Sequence, residues 1–83
     1  MSYRLVLAVE ATKVVAAMDE MAHELFVFAC LDLPRDPHGL GRVMRVEGAF
    51  TTRALALGGL GMIVYVVDEA TTIVTVTDVI WAG

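Results

Sequence analysis

The spacing of apolar and polar residues changes along this chain from a two-residue repeat to a helical repeat and back. Residues Tyr3–Val9 alternate, which places Tyr3, Leu5, Leu7 and Val9 on one side. Their composition is also typical of a β-strand. The chain therefore begins with a predicted strand.

Between Ala11 and Leu33 the apolar residues follow steps of three and four, which stack side chains on one helical face. One row contains Val14, Met18, Met21, Leu25 and Phe28, and a second contains Val15, Ala22, Phe26, Ala29 and Leu33. The segment is either one long helix or a pair broken near Asp19–His23. Neither a good N-cap nor a glycine C-cap is visible inside it, so both interpretations stay open.

The second half of the chain predicts a loop and a meander of strands. The loop is predicted at Pro34–Gly41. Within it, a type I turn is indicated by Asp36, Pro37 and Gly39 at its first, second and fourth positions. The predicted strands are Arg42–Glu47, Thr51–Leu57, Met62–Val67 and Thr72–Trp81. Their short connections favour antiparallel neighbours. We therefore expect an α+β fold: an N-terminal strand, a helical segment or hairpin, and an antiparallel four-strand meander with the helices on one face.

Apolar residues make up 58% of the 83 residues, which is more than one small domain, residues 1–83, can bury. We expect a homo-oligomer or a protein partner to cover the excess. Because the last strand ends the chain, an exposed sheet edge is predicted there, with Trp81 near the interface.

The apolar excess does not predict a membrane segment. The longest uncharged stretch, residues 54–67, is too short for a spanning helix and contains three glycines. The apolar stretch Leu5–Val9 is too short for a signal peptide, so we expect a cytoplasmic protein. The lone cysteine, Cys30, lies in an apolar stretch and is expected to be a buried thiol.

The net charge is −4, and positive charge is concentrated in Arg42, Arg45 and Arg53. An acidic chain gains no general attraction to phosphate backbones, so autonomous binding of nucleic acid is not expected. No metal-ligand spacing or phosphate-binding glycine pattern is present, so no cofactor or metal is expected.

Candidate acid–base chemistry is limited to two residues. His38 could act as the base for RNA cleavage, with Arg42 and Arg45 as phosphate clamps; the alternative is an exposed turn histidine beside a solvated strand face. Tyr65 is the second candidate, and the alternative for it is a core tyrosine with its hydroxyl at the sheet rim.

The order of these elements resembles the RelE/ParE toxin superfamily of toxin–antitoxin systems. The resemblance covers nearly the whole chain and includes the strand Tyr3–Val9, the helical segment, the turn Leu33–Gly39 and the closing stretch Leu57–Asp68. It implies the fold of that family and a toxin-type role with an antitoxin-like partner.

The sequence departs from the family where its nucleases place arginines. Met62 or Gly61, depending on the alignment, stands in place of an arginine, and the basic tail beyond the last strand is missing. We therefore predict a role mainly in protein binding, without efficient ribonuclease activity. The alternative is a catalytically silent homo-oligomeric interaction module with the same fold.

The expected partner-binding residues are Arg42, Arg45, Arg53 and Trp81. In a regular strand Arg42 and Arg45 would point to opposite faces, because they are three residues apart. Arg45 and Arg53 are expected to approach each other across the turn Gly48–Phe50.

Overall fold

The structure, a computed structural model, describes residues 2–59 and 61–81. Its elements in chain order are β1 (Arg4–Leu7), α1 (Val9–Ala16), α2 (Glu20–Asp32), β2 (Arg42–Glu47), β3 (Phe50–Leu57), β4 (Gly61–Asp68) and β5 (Ile73–Trp81). The four later strands lie almost at their predicted bounds. The first is shorter than predicted because α1 already begins at Val9.

The helical segment is a pair of helices broken between Ala17 and Asp19. Asp19 has an extended backbone, and its Oδ1 accepts a hydrogen bond from the backbone N–H of Ala22 at 2.9 Å. This side-chain cap satisfies one of the free donors at the start of α2, an interaction that stabilises a helix by about 1 kcal/mol. The N-cap that the sequence analysis did not find is therefore Asp19.

The five strands form one mixed sheet in the order β1-β5-β4-β3-β2. Strands β2 to β5 form the expected antiparallel meander. The expectation of a four-strand sheet is incomplete, because β1 joins it as a fifth strand parallel to β5, with Arg4 opposite Ile73 and Leu7 opposite Val76. Both helices and strands β2 to β4 separate β1 from β5 along the chain, so no short turn has to join this parallel pair.

The hydrophobic core lies between the helices and one face of the sheet, here called the helix face. The helices contribute Ala11, Phe26 and Ala29, and Leu33 follows them. The sheet contributes Leu57, Ile63, Tyr65, Val67, Val74, Val76 and Val79. Alternate residues of the same strands form the opposite face, here called the open face. Among the described residues, neither helix contributes to that face.

A β-bulge in β2 changes which of its side chains share a face. The register with β3 slips between Val43, which opposes Arg53, and Arg45, which opposes Thr52. Met44 is the extra residue, so the strict alternation of side chains is interrupted there.

Within the described residues, neither helix is long and apolar enough to cross a membrane.

Candidate functional site

The loop between α2 and β2 crosses the helix face and is held by two buried side chains. The Tyr65 hydroxyl lies 2.8 Å from the carbonyl oxygen of Pro37 and 2.7 Å from that of Leu40. Its one proton is therefore shared between two acceptors. Arg53 donates from Nε to the Leu40 carbonyl at 3.1 Å and from Nη2 to the Gly41 carbonyl at 3.3 Å.

Arg53 and Tyr65 face each other across β3 and β4 beneath this loop. Arg53 is only 7% exposed and Tyr65 is fully buried. Burial raises the pKa of the Tyr65 hydroxyl, and the hydrogen bond and positive charge of Arg53 oppose that rise. Tyr65 is thus a core tyrosine, but its hydroxyl bonds to the loop over the middle of β4 and does not lie at the sheet rim.

Gly41 completes this arrangement because its backbone is in the left-handed region, with φ of 66°. A Cβ at this position would collide with the Ala54 carbonyl and come within 3.2 Å of the Tyr65 hydroxyl. A glycine is therefore required where the loop enters β2.

His38 belongs to a second, exposed cluster at the end of the loop. Its Nε2 contacts Glu69 Oε1, and the Tyr3 hydroxyl donates to Oε2 of the same carboxylate at 2.9 Å. The hydrogen bond from His38, followed by that from Tyr3, lowers the pKa of Glu69. The pKa of Tyr3 is raised, and the hydrogen bond to Glu69 is the main cause. The cluster joins the start of β1, the loop and the turn after β4.

Tyr3 and Glu69 were not among the predicted site residues. They are 66 residues apart, and only the parallel pairing of β1 with β5 brings them together. In the sequence, Glu69 directly follows the strand that ends at Asp68. This position is only a weak sign of a functional residue, because charged residues are common in turns.

Arg42 and Arg45 lie together on the open face, which corrects the expectation that they point to opposite faces. The bulge at Met44 causes the change, because it adds one residue between them. Arg45 also does not approach Arg53: it opposes Thr52, whereas Arg53 points to the helix face. Arg45 Nε instead contacts Glu47 Oε1 of its own strand at 2.7 Å.

The structure therefore does not bring the proposed acid–base residues to the proposed phosphate clamps. His38 follows Pro37, whose carbonyl bonds to Tyr65 on the helix face, while Arg42 and Arg45 are on the open face. The sheet therefore lies between His38 and the two arginines.

A shallow cavity of about 440 Å³ lies beside Arg42 on the open face. Its lining residues are Gly41, Arg42, Ala54, Leu55, Ala56 and Met62. This lining offers one cation and an apolar floor, and it contains no side chain able to exchange a proton near neutral pH. Met62 is one of the two residues that the sequence resemblance aligns with an arginine.

Trp81 and the last strand are not at an edge of the sheet, so the reason given for placing them at an interface is wrong. β5 lies between β1 and β4, since the N-terminal strand adds beyond it. Trp81 is half-buried, packs against the core and lies opposite Gly61. Its part in partner binding stays a prediction.

Cys30 is half-buried on α2, and burial raises the pKa of its thiol to about 11. Little thiolate forms near neutral pH, so the side chain is a weak nucleophile. In the described part of the chain, no three His, Cys, Asp or Glu side chains are grouped as metal ligands.

Solved structures with this fold provide the comparison with known proteins. A chain of the archaeal RelE–RelB complex from Pyrococcus horikoshii OT3 superimposes with a TM-score of 0.87 at 15% identity, covering 100% of this chain and 98% of that one. A chain of a RelBE toxin–antitoxin complex from Mycobacterium tuberculosis gives 0.77 at 22% identity, covering 98% and 99%. The free E. coli toxin RelE, as an arginine-to-alanine double mutant, gives 0.73 at 19% identity, covering 99% and 85%.

No protein-family model matches the sequence, and no curated protein sequence matches it. The structural matches extend over nearly the whole chain and agree with the sequence resemblance to RelE/ParE toxins. This chain has the fold of the RelE toxins.

Proposed function

We propose that this chain is the toxin-type member of a toxin–antitoxin pair, and that it acts mainly by binding proteins. The observation that carries the proposal is the likeness, over almost all of both chains, to structures of RelE–RelB complexes. By analogy, the expected partner is an antitoxin-like protein made together with this chain.

The open face supports a binding role over RNA cleavage. Cleavage by 2′-hydroxyl attack needs a base, an acid and cations around one phosphate. The cavity beside Arg42 on the open face supplies one cation. His38 lies on the loop that covers the helix face, where it bonds to Glu69. Tyr65 is buried beneath the loop. Losing one transition-state charge typically lowers a rate by about 10²–10³, so several losses leave activity near background.

Arg42 is the best-placed partner-binding residue of the four proposed. It borders an apolar floor formed by Ala54, Ala56 and Met62, which suits a partner segment that combines an acidic side chain with apolar ones. Arg45 is already paired with Glu47, so its contribution is expected to be smaller. Arg53 contributes through the loop it holds.

The binding experiment uses this chain expressed with the product of the neighbouring small reading frame. We expect a stable complex by size-exclusion chromatography with light scattering, and Arg42→Glu should weaken it most at low salt. Arg35→Glu, in an exposed part of the loop, is the matched control and should leave affinity unchanged. Equal losses in both variants, or the absence of a complex, would contradict the proposal.

The cleavage experiment incubates the purified chain with a translating extract and maps message ends by primer extension. We expect intact message, and His38→Ala should change nothing. Cuts at defined codon positions that disappear in His38→Ala would instead identify an active nuclease.

A further inference from the structure

Strand β2 forms a long free edge of the sheet. It is the last strand in the sheet order, and in the described part of the chain only β3 pairs with it. All six of its residues are exposed, including Val43 at 52%, Met44 at 56% and Val46 at 63%. An edge strand of this kind offers unpaired backbone groups and apolar side chains to another strand.

The bulge arranges the side chains of β2 into two sets. Arg42, Arg45 and Glu47 oppose Ala54, Thr52 and Phe50 of β3 and point to the open face. Val43 and Val46 oppose Arg53 and Thr51 and point to the helix face. Without the extra residue, Arg42 and Glu47 would lie on opposite faces, because they are an odd number of positions apart.

We propose that β2 pairs antiparallel with β2 of a second copy of this chain, in the register that sets Arg42 opposite Glu47. The same register sets Val43 opposite Val46 and places the bulged residues Met44 and Arg45 of both copies together at the two-fold axis. Every pair occurs twice, because a two-fold axis requires that each patch contact its own counterpart. Opposite charges face each other on the open face, and valines face each other on the helix face.

This register also places each Glu47 between two arginines. Arg45 of the same copy contacts it in the single chain, and Arg42 of the second copy would approach from across the new pair. Cross-strand pairs of opposite charge and of β-branched residues both stabilise antiparallel strands. The result is one continuous ten-stranded sheet with all helices on the same face.

The other edge of the sheet lacks this self-complementarity. β1 spans only Arg4–Leu7 and carries one cation without an acidic residue to face it. Antiparallel pairing of β1 with itself would set Arg4 opposite Leu7. The charge pattern therefore selects β2 as the edge for a second copy.

The test measures the dimer dissociation constant of the chain alone by analytical ultracentrifugation. We expect species of twice the 9.0 kDa chain mass that dissociate on dilution. Arg42→Glu and Glu47→Arg should each raise the dissociation constant by roughly 10-fold, because attraction becomes repulsion at two symmetric contacts. The double variant Arg42→Glu/Glu47→Arg restores opposite charges and should recover the dimer.

Arg4→Glu on β1 is the matched control and should leave the dissociation constant unchanged. A chain that remains monomeric at high micromolar concentration would overturn the proposal. So would a dimer that both single variants leave intact, or a double variant that does not recover. If β2 instead binds a strand of an antitoxin, the free chain will be monomeric and the β2 amides will be protected from exchange only in the complex. That result would also contradict the dimer.

A second measurement needs no substitution. Hydrogen exchange at high and low protein concentration should slow the amides of residues 42–47 at high concentration and leave those of residues 4–7 unchanged. Protection of neither strand, or of β1 alone, would contradict the pairing. This dimer does not depend on the proposed antitoxin, since each experiment uses the chain by itself.

Discussion

Arginines have different environments on the two faces of the sheet. On the helix face Arg53 and Tyr65 are buried and their polar atoms bond to the loop between α2 and β2. On the open face Arg42 and Arg45 are exposed, and Arg42 lies beside a shallow apolar cavity. The face of the sheet therefore decides whether an arginine of β2 or β3 is buried and bonded to the loop, as Arg53 is, or exposed, as Arg42 and Arg45 are.

The largest expected effect comes from replacing the buried arginine. Arg53→Met removes two charge-assisted hydrogen bonds to the carbonyls of Leu40 and Gly41 and should lower the free energy of unfolding by about 3 kcal/mol. Arg45→Met removes one exposed ion pair and should cost less than about 1 kcal/mol. Equilibrium denaturation by urea measures both. Equal losses would show that the two faces do not differ in this way.

A smaller effect is expected from the buried tyrosine. Tyr65→Phe removes a hydroxyl that bonds to the Pro37 and Leu40 carbonyls, and should cost about 1–2 kcal/mol of unfolding free energy. Tyr3→Phe removes an exposed hydroxyl bonded to Glu69 and should change the free energy of unfolding much less than Tyr65→Phe does. A larger loss in Tyr3→Phe would place the main anchor of the loop in the exposed cluster.

The smallest effect concerns pH and Glu69. Because His38 and Tyr3 lower the pKa of Glu69 in the folded chain, its stabilising contribution is present above about pH 4.5, the ordinary pKa of a glutamate. That contribution is lost as the pH falls through the lower folded value. The melting temperature of wild type should exceed that of Glu69→Gln near neutral pH, and the two should converge in acid. Glu24→Gln, on the exposed side of α2, should not show this convergence.

The elements of this fold could be predicted from the sequence because their signals are local. Alternation located the strands, and steps of three and four located the helices. Asp19 was missed as a cap because the apolar rows continue past it at helical spacing, which left one long helix and a broken pair both open. The position of β5 between β1 and β4 was missed because parallel pairing depends on contacts distant in sequence.

The site was harder to predict for a related reason. One extra residue at Met44 places Arg42 and Arg45 on the same face instead of the predicted opposite faces, and a bulge leaves little trace in the sequence. Arg53 is buried because the loop between α2 and β2 passes over it. The alternation of residues in a strand does not predict the path of that loop. His38 was identified as notable, but its partner Glu69 comes from a remote turn.

The parallel pair of β1 and β5 also determines when this chain can finish folding. Residues 4–7 are synthesised well before their partners, residues 73–76. α1 packs against β5 as well, so β1 and α1 gain these native contacts only after β5 has been made. Until then the apolar residues of β1 and α1 remain uncovered, and an early-binding partner protein would meet the chain in that state.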